Sequence, residues 1–474
     1  MAKTIPEQVN DLADFLYAQE KSLRESAQYY EATHRLEAIG LATPPEMRCL
    51  TAAIGWPRMI LDSIEERLDV EGFRLAGQSE QVDDLWDWWQ ANDMDEESSL
   101  AHLDALIYGR SYITVAAPDV DAGDEPGVPI IRVESPLNMY AEVDPRTRKV
   151  TRAIRLYKPV RWDEEQLQYA TLYLPDETHY LVNVGGKWQA EQAPTVHNLG
   201  VVPVVPMYNR ERLSDRQGTS EITPEIRSFT DAAARTMMNM QAASELMAVP
   251  QRVLFGVNAE DLIDPGSNTS VLETYMARII ALENETAKAF QFSSAELRNF
   301  TEVLEQLAKH IASYTGLPPQ YLSFNSDNPA SAEAIKSSES RLVKKCERKA
   351  RMFGGAWEQV MRLCKLVIDG SVSPELYRLE TIWRDPSTPT FASKADAVSK
   401  LKSSGIIPTE RARIDLGYTD EEREEMREWD EEDQQKGPMG MLARQIGTLP
   451  QGETTGPDQE GRTPPEFARQ QAAA

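Results

Sequence analysis

The sequence predicts an α+β chain, mainly helical, and three observations carry that expectation. One apolar stripe at helical spacing runs on to about residue 368 after a polar loop. A block of strand-like segments at about 128–206 interrupts otherwise helical sequence. Two amphipathic helices, about 221–248 and 294–315, bracket a short insert.

Residues 6–115 read as mostly helical. Leu12, Phe15 and Leu16 give partial helical spacing, followed by the polar stretch 20–37. Pro44-Pro45 opens a second helix through Ile54 and Ile60 to Leu68. Leu85-Trp86-Asp87-Trp88-Trp89 is an amphipathic aromatic stretch that reads as core rather than a ligand cage. Residues 100–108 are helical, Gly109 breaks the helix, and 111–116 read as a strand. Further strands are expected at 129–133, 139–143, 150–158, 168–174, 179–184 and 202–207. Turn signals such as Asp144-Pro145 and Gly185-Gly186 separate them, as in a small antiparallel sheet module.

Helices then return. Thr223 caps a helix with Pro224 next and apolar positions Ile222, Ile226, Phe229, Ala233, Met237, Met240 and Met247. Residues 250–292 read as a small α/β insert with strands at 252–257, 278–282 and 288–292. Ser293 and Glu296 have capping-box spacing. The helix after them carries Leu297, Phe300, Leu304, Leu307, Ile311 and Tyr314, and stops at Gly316 before Pro318. The polar loop follows. Asn328 can cap the next helix, with Pro329 at its first position.

That helix carries Ile335, Leu342, Cys346, Ala350, Phe353, Trp357, Val360, Cys364 and Val367 on one stripe. It would be roughly 60 Å long at 1.5 Å per residue. Gly354-Gly355 inside it serve either a kink or close packing. Beyond Pro389, helices are expected at 393–403, at 409–416 and from Thr419, where Glu422 completes a capping box. Residues 420–433 hold ten acids and two arginines, which fits a charged helix or a solvated tail. Residues 434–474 lack periodicity and read as disordered.

The 474 residues are enough for two to four domains. The 50 basic and 76 acidic side chains give a net charge of −26, so the chain as a whole repels nucleic acid. One region reverses that sign. Lys336, Arg341, Lys344, Lys345, Arg348, Lys349 and Arg351 face only Glu339 and Glu347. Two readings follow: pairing with acidic neighbours, including those of another subunit, or local contact with nucleic acid.

Cys49, Cys346 and Cys364 form no CxxC pair, and the last two fall on the apolar stripe, a reduced, cytosolic pattern. No secretory signal and no membrane span are expected.

Catalytic motifs are missing. Gly185-Gly186-Lys187-Trp188 lacks the spacing of a P-loop and reads as a hairpin turn. There is no HExxH and no GxSxG. His34, His102, His179, His197 and His310 are scattered, without metal-ligand spacing. No catalytic residue, metal ligand or cofactor is expected, and the chain does not read as an enzyme.

Three motif groups carry a resemblance. Leu199-Gly200-Val201-Val202-Pro203-Val204-Val205 is followed by Asn209 and by Gly218-Thr219-Ser220-Glu221. Gly316-Leu317-Pro318 precedes Asn328-Pro329-Ala330-Ser331-Ala332-Glu333-Ala334. Trp383-Arg384-Asp385-Pro386 precedes Thr388-Pro389-Thr390, then Gly405-Ile406-Ile407-Pro408 and Leu416-Gly417-Tyr418. In this order and spacing, they resemble portal proteins of tailed bacteriophages, of the type found in long-tailed phages of Gram-positive hosts, over roughly residues 10–430.

The resemblance implies a dodecameric ring at one capsid vertex, with a channel for double-stranded DNA during packaging and ejection. It implies a wing at 1–217, stem helices at 218–248 and 293–316, and a clip at 249–292 between them. It implies a tunnel loop at 317–330, a long kinked helix returning to the wing at 331–386, a crown at 387–433 and a tail at 434–474. Tyr321, Ser323, Asn325, Ser326, Asp327 and Asn328 would face the channel. Arg252, Asn258, Glu260 and Asp261 of the clip would dock the terminase large subunit and later the head–tail adaptor. The wing would meet the major capsid protein and scaffold protein. Assembly would occur in the host cytoplasm and the product would reside in the virion. Another phage structural protein, such as a scaffold, would be mainly coiled coil, which the sheet region opposes. A packaging nuclease–ATPase would need the missing P-loop.

Overall fold

The computed structural model describes residues 3–34, 52–78, 81–158, 167–248, 252–255, 288–291, 297–322, 332–387, 391–418 and 420–436. The chain divides into two compact units, Met1–Ser387 and Thr388–Ala474.

In the first unit, helix α1 (Ile5–Tyr30) begins where the Thr4 amide donates to the Glu7 carboxylate at 2.7 Å. Its buried Val9, Leu12, Ala13 and Leu16 recur at helical spacing and pack on Ile154, Leu156, Leu172, Leu181 and Trp188 of a sheet. Burial of Val9, Leu12 and Leu16 contributes about 1.5–3 kcal/mol each. Helix α2 (Trp56–Glu65) starts later than the Pro44-Pro45 reading expected: Pro57 supplies the first-turn proline, and Ile54 precedes the helix. Pro44 and Pro45 lie outside the described residues.

Strand β1 (Val70–Leu75), helix α3 (Asp83–Ala91) and helix α4 (Met94–Tyr108) follow. Gly109 ends α4 at φ +90°, a left-handed conformation suited to glycine. The strands are β2 (Arg110–Ala116), β3 (Ile130–Glu134), β4 (Met139–Val143), β5 (Val150–Tyr157), β6 (Gln168–Tyr173), β7 (Glu177–Val184), β8 (Lys187–Ala190), β9 (Thr195–Val196) and β10 (Val204–Tyr208). They form two sheets rather than the single module expected. One has the order β10-β2-β3; the other is six-stranded, β4-β5-β6-β7-β8 with β9 on β7. Tyr112 and Val204 of the first, with Val202 just before β10, pack against Met139, Ala141 and Ala153 of the second. The Gly185-Gly186 hairpin is observed, with both glycines at positive φ, as a tight β-turn requires.

Helix α5 (Pro224–Ala248) runs antiparallel to α6 (Arg298–Thr315): the Tyr314 hydroxyl near the end of α6 donates to Glu225 in the first turn of α5 at 2.9 Å. Between them, β11 (Arg252–Phe255) pairs with β12 (Lys288–Gln291). The third insert strand, at 278–282, and the Ser293–Glu296 capping box lie outside the described residues. Helix α7 (Ala332–Asp369) is the long helix, 38 residues without interruption. Strand β13 (Leu379–Trp383) pairs antiparallel with β1. Neither partner of that ribbon was expected. β1 is short and carries a register shift between Val70 and Gly72, which hides its alternation.

In the second unit, helices α8 (Phe391–Ser403), α9 (Thr409–Leu416) and α10 (Asp420–Lys436) appear as expected, and the acidic segment is helical. Arg413 reaches Asp430 at 2.7 Å and Arg427 reaches Glu410 at 2.8 Å, so cations bind α10 to α9.

Candidate functional site

Helix α7 is where the first motif group, Gly316 of the second and Trp383–Pro386 of the third meet within the first unit. Its residues Cys346, Phe353, Trp357, Val360 and Cys364 are fully buried in the largest core cluster. Lys349 lies three residues after Cys346 and four before Phe353, so helical geometry places it on the same buried face. An ammonium there needs charged and hydrogen-bonding partners.

The first motif supplies them. Lys349 Nζ donates to Asn209 Oδ1 at 2.5 Å and pairs with Glu221 Oε1. Lys345 takes the other Glu221 oxygen at 2.7 Å. Burial alone would push the Glu221 carboxyl up, but the Lys345 and Lys349 ammonium groups outweigh it and hold it at about 2. Asn209 Nδ2 donates to Thr219 O at 2.8 Å and to Glu221 Oε1 at 3.1 Å, and its backbone N donates to Gly109 O at 2.8 Å. The backbone of Gly218 approaches Gly109 so closely that a Cβ on Gly218 would overlap the Gly109 carbonyl. Thus Asn209, Gly218 and Glu221 knit the end of α4 to α7.

The second motif braces the start of α7. Gly316 ends α6 at φ +81°, and Arg341 packs against it while donating to Ser313 O at 2.9 Å. Tyr321 follows; its hydroxyl donates to the buried Glu339 at 2.7 Å and accepts from Arg67 Nη2 at 2.9 Å. Arg67 also reaches Pro386 O at 3.0 Å, drawing in the third motif.

That third motif braces the second half of α7. A Cβ on Gly354 would meet Trp383 Nε1 at 3.1 Å and Thr381 Cβ at 3.4 Å, whereas one on Gly355 would meet nothing. Gly354 therefore admits β13 to the helix, which answers the packing reading of the glycine pair. Arg384 pairs with Asp69 at 2.7 Å and Glu71 at 3.0 Å beside the ribbon. Beneath it, Trp357 Nε1 donates to His102 Nε2 at 2.9 Å, and His102 is fully buried. Burial drives its imidazole down to about 3, so it is neutral.

The structure divides the basic face that the sequence drew as one surface. Lys345 and Lys349 turn inward to Glu221 of their own chain, a correction to their reading as partner- or DNA-facing groups. Arg341 is engaged with Ser313. Lys344, paired with Glu347, and Arg348, donating to Glu211 O at 2.6 Å, remain at the surface. Tyr321 is a half-buried brace, not an open loop residue. Ser323, Asn325, Ser326, Asp327, Asn328 and Pro329 lie outside the described residues, as do Asn258, Glu260 and Asp261. Lys336 is in α7 and Arg252 in β11.

Arg67 and His102 were not singled out by sequence as site residues, since neither belongs to a recognisable spacing. Lys349 could have been recognised as buried from its place on the stripe. Among the described residues, no group of three or more His, Cys, Asp or Glu is placed to hold a metal ion, and no helix is long and apolar enough to cross a membrane.

Fold and site together define a mixed α+β protein organised around one braced helix. The family is then given by comparison. The chain matches "Phage portal protein, SPP1 Gp6-like" over residues 17–439. It is 53% identical over 440 residues to the portal protein of Mycobacterium phage D29, covering 91% of this chain and 90% of the relative. It is 52% identical over 453 residues to that of Mycobacterium phage L5, covering 94% and 91%. The chain belongs to this family of phage portal proteins. A subunit from the virion of a native gene transfer agent particle aligns with 85% of this chain and 94% of its own, at 14% identity and a TM-score of 0.42.

Proposed function

We propose that the chain assembles into a dodecameric ring at one capsid vertex and conducts double-stranded DNA during packaging and ejection. The single observation behind this reading is its membership of the portal family over most of its length. The braced helix supports it. α7 begins directly after segment 323–331, so anchoring Lys349, Glu339 and Gly354 would hold the base of a tunnel loop at 317–330 against a moving polymer. The −26 charge of each subunit keeps DNA from adhering to the ring.

In this reading the antiparallel pair α5 and α6 is the stem, and the insert with β11 and β12 is the clip that docks the terminase large subunit and then the head–tail adaptor. The segment 387–433 is the crown, and 434–474 is a tail beyond it. The remainder of the first unit is the wing, meeting major capsid protein and scaffold protein during assembly in the host cytoplasm. The subunit does no chemistry of its own.

Native mass spectrometry of the purified chain, with negative-stain images, tests the ring. Twelve or thirteen subunits around a central hole are expected. A chain monomeric at every salt concentration, even with its scaffold protein added, would refute the reading. Purified chain should hydrolyse no ATP.

A further inference from the structure

The most exposed large apolar side chain among the described residues is Leu213, at 86% exposure. It is held outward by an ordered loop. The Asp215 carboxylate accepts from the Arg212 amide at 3.1 Å and from Ser214 Oγ at 3.1 Å, and the Asp215 amide returns to Arg212 O at 3.2 Å. Arg212 and Arg216 flank Leu213 in solvent, and Arg348 of α7 joins them by donating to Glu211 O. The result is a leucine knob in a cationic collar.

The same chain carries a complementary surface. A cleft of about 340 Å³ is lined by Trp88, Ala91 and Val128, with Asp84, Asp87 and Glu125 as its acidic members. These three carboxylates are exposed. Lys365 borders the cleft, its Nζ 4.5 Å from the Trp88 ring centre and 3.5 Å from Asp84. Knob and cleft are separate patches. Arg348 and Lys365 are seventeen residues apart on α7, or about 25 Å along the axis and about 100° around it.

We propose that the Leu213 loop of one copy docks into the Trp88 cleft of the next copy, with Arg212 and Arg216 facing Asp84, Asp87 and Glu125. Two different patches of one chain that fit each other make a head-to-tail contact, which closes into a ring when the rotation allows. The occupant is a second copy because the complementary sign and the apolar fit are both carried by this chain. The proposal rests on the ring reading above and names a surface that reading left open.

Site-directed cross-linking tests it, in a Cys49→Ser background, since Cys346 and Cys364 are buried. Rings are first verified by native mass spectrometry, then treated with a short bis-maleimide and run denatured. Leu213→Cys with Ala91→Cys in one chain should give a ladder up to the full ring, and each single variant should stay monomeric. Verified rings without a ladder, or equal ladders from the single variants, would overturn this contact and leave the ring reading standing. A Cys49→Ser parent chain that forms no ring, even with its scaffold protein added, would overturn both.

Discussion

The two halves of α7 are buried by different means. Around Lys345 and Lys349 the helix is fixed by charge, through one carboxylate and one amide from the segment after β10. Around Phe353, Trp357 and Cys364 it is fixed by dense apolar and aromatic packing, with Trp89 at 5.0 Å from Trp357 in an edge-to-face pair. Apolar packing tolerates small repacking, whereas a buried ion pair penalises loss of either member and specifies one arrangement. The half nearest the loop is thus the half whose register is set by charge.

Breaking the charged half should have the largest effect. Lys349→Met leaves Glu221 buried with only the partly buried Lys345, and is expected to cost about 3 kcal/mol in urea denaturation. Adding Glu221→Gln should recover much of that, because no excess carboxylate then stays buried. The wild-type contribution has a pH signature. Glu221 titrates at about 2 when folded, below the ordinary 4.5 of a glutamate, so the stability it contributes is complete above 4.5 and lost as pH falls toward 2. A double variant no more stable than Lys349→Met alone would mean that shape, not charge, matters there.

The aromatic half has its own acid sensitivity, next in size. His102 accepts a hydrogen bond from Trp357 through Nε2, so protonation would oppose two N–H groups. Its folded value of about 3 lies below the ordinary 6.5, so the unfolded chain binds the proton first and stability falls as pH drops from 6.5 toward 3. Between pH 7 and 5 this amounts to about 2 kcal/mol at about 1.4 kcal/mol per pH unit. His102→Gln retains an acceptor for Trp357 without titrating, and its urea midpoint should move less than the wild type's over that interval. Equal movement would remove His102 from the account.

The glycine pair sharpens the contrast within the aromatic half. Gly354→Ala should destabilise by about 1–2 kcal/mol, since the new methyl group presses on Trp383 and Thr381. Gly355→Ala meets open space and should stabilise by up to about 1 kcal/mol through helix propensity. Thermal melts of the two variants should therefore shift in opposite directions.

Elements that follow one face were legible in the sequence. The stripe of α7, the antiparallel helices around the insert, most sheet strands and the helices after residue 390 obey period 3.6 or 2 and were expected near their observed bounds. What escaped depends on partners far along the chain. β1 and β13 make sense only beside each other, some 300 residues apart, and a bulge masks the first. Asn209 and Glu221 were visible as motif residues, but their chemistry waits on Lys349, which composition had grouped with six surface-like cations. Charge counted along a helix does not distinguish faces. Position on the stripe does, and it separates Lys349 from Lys344.

Lys344 provides the smallest and most discriminating prediction. Its side chain is 75% exposed and pairs with Glu347 three residues on, a surface arrangement whose net contribution is small. Lys344→Ala should change subunit stability by no more than about 0.5 kcal/mol. The same position belongs to the basic face whose sequence admits pairing with another subunit, and on that reading Lys344→Glu with Arg348→Glu should leave the melting curve near wild type while preventing ring formation. Restricting the reversal to these two residues matters, because a variant that also reversed Lys345 would place a second carboxylate against Glu221 and unfold the lock itself. Normal rings from the doubly reversed chain would show that the outward half of this basic face is merely solvated, and that α7 serves the assembly only through what it holds inside the subunit.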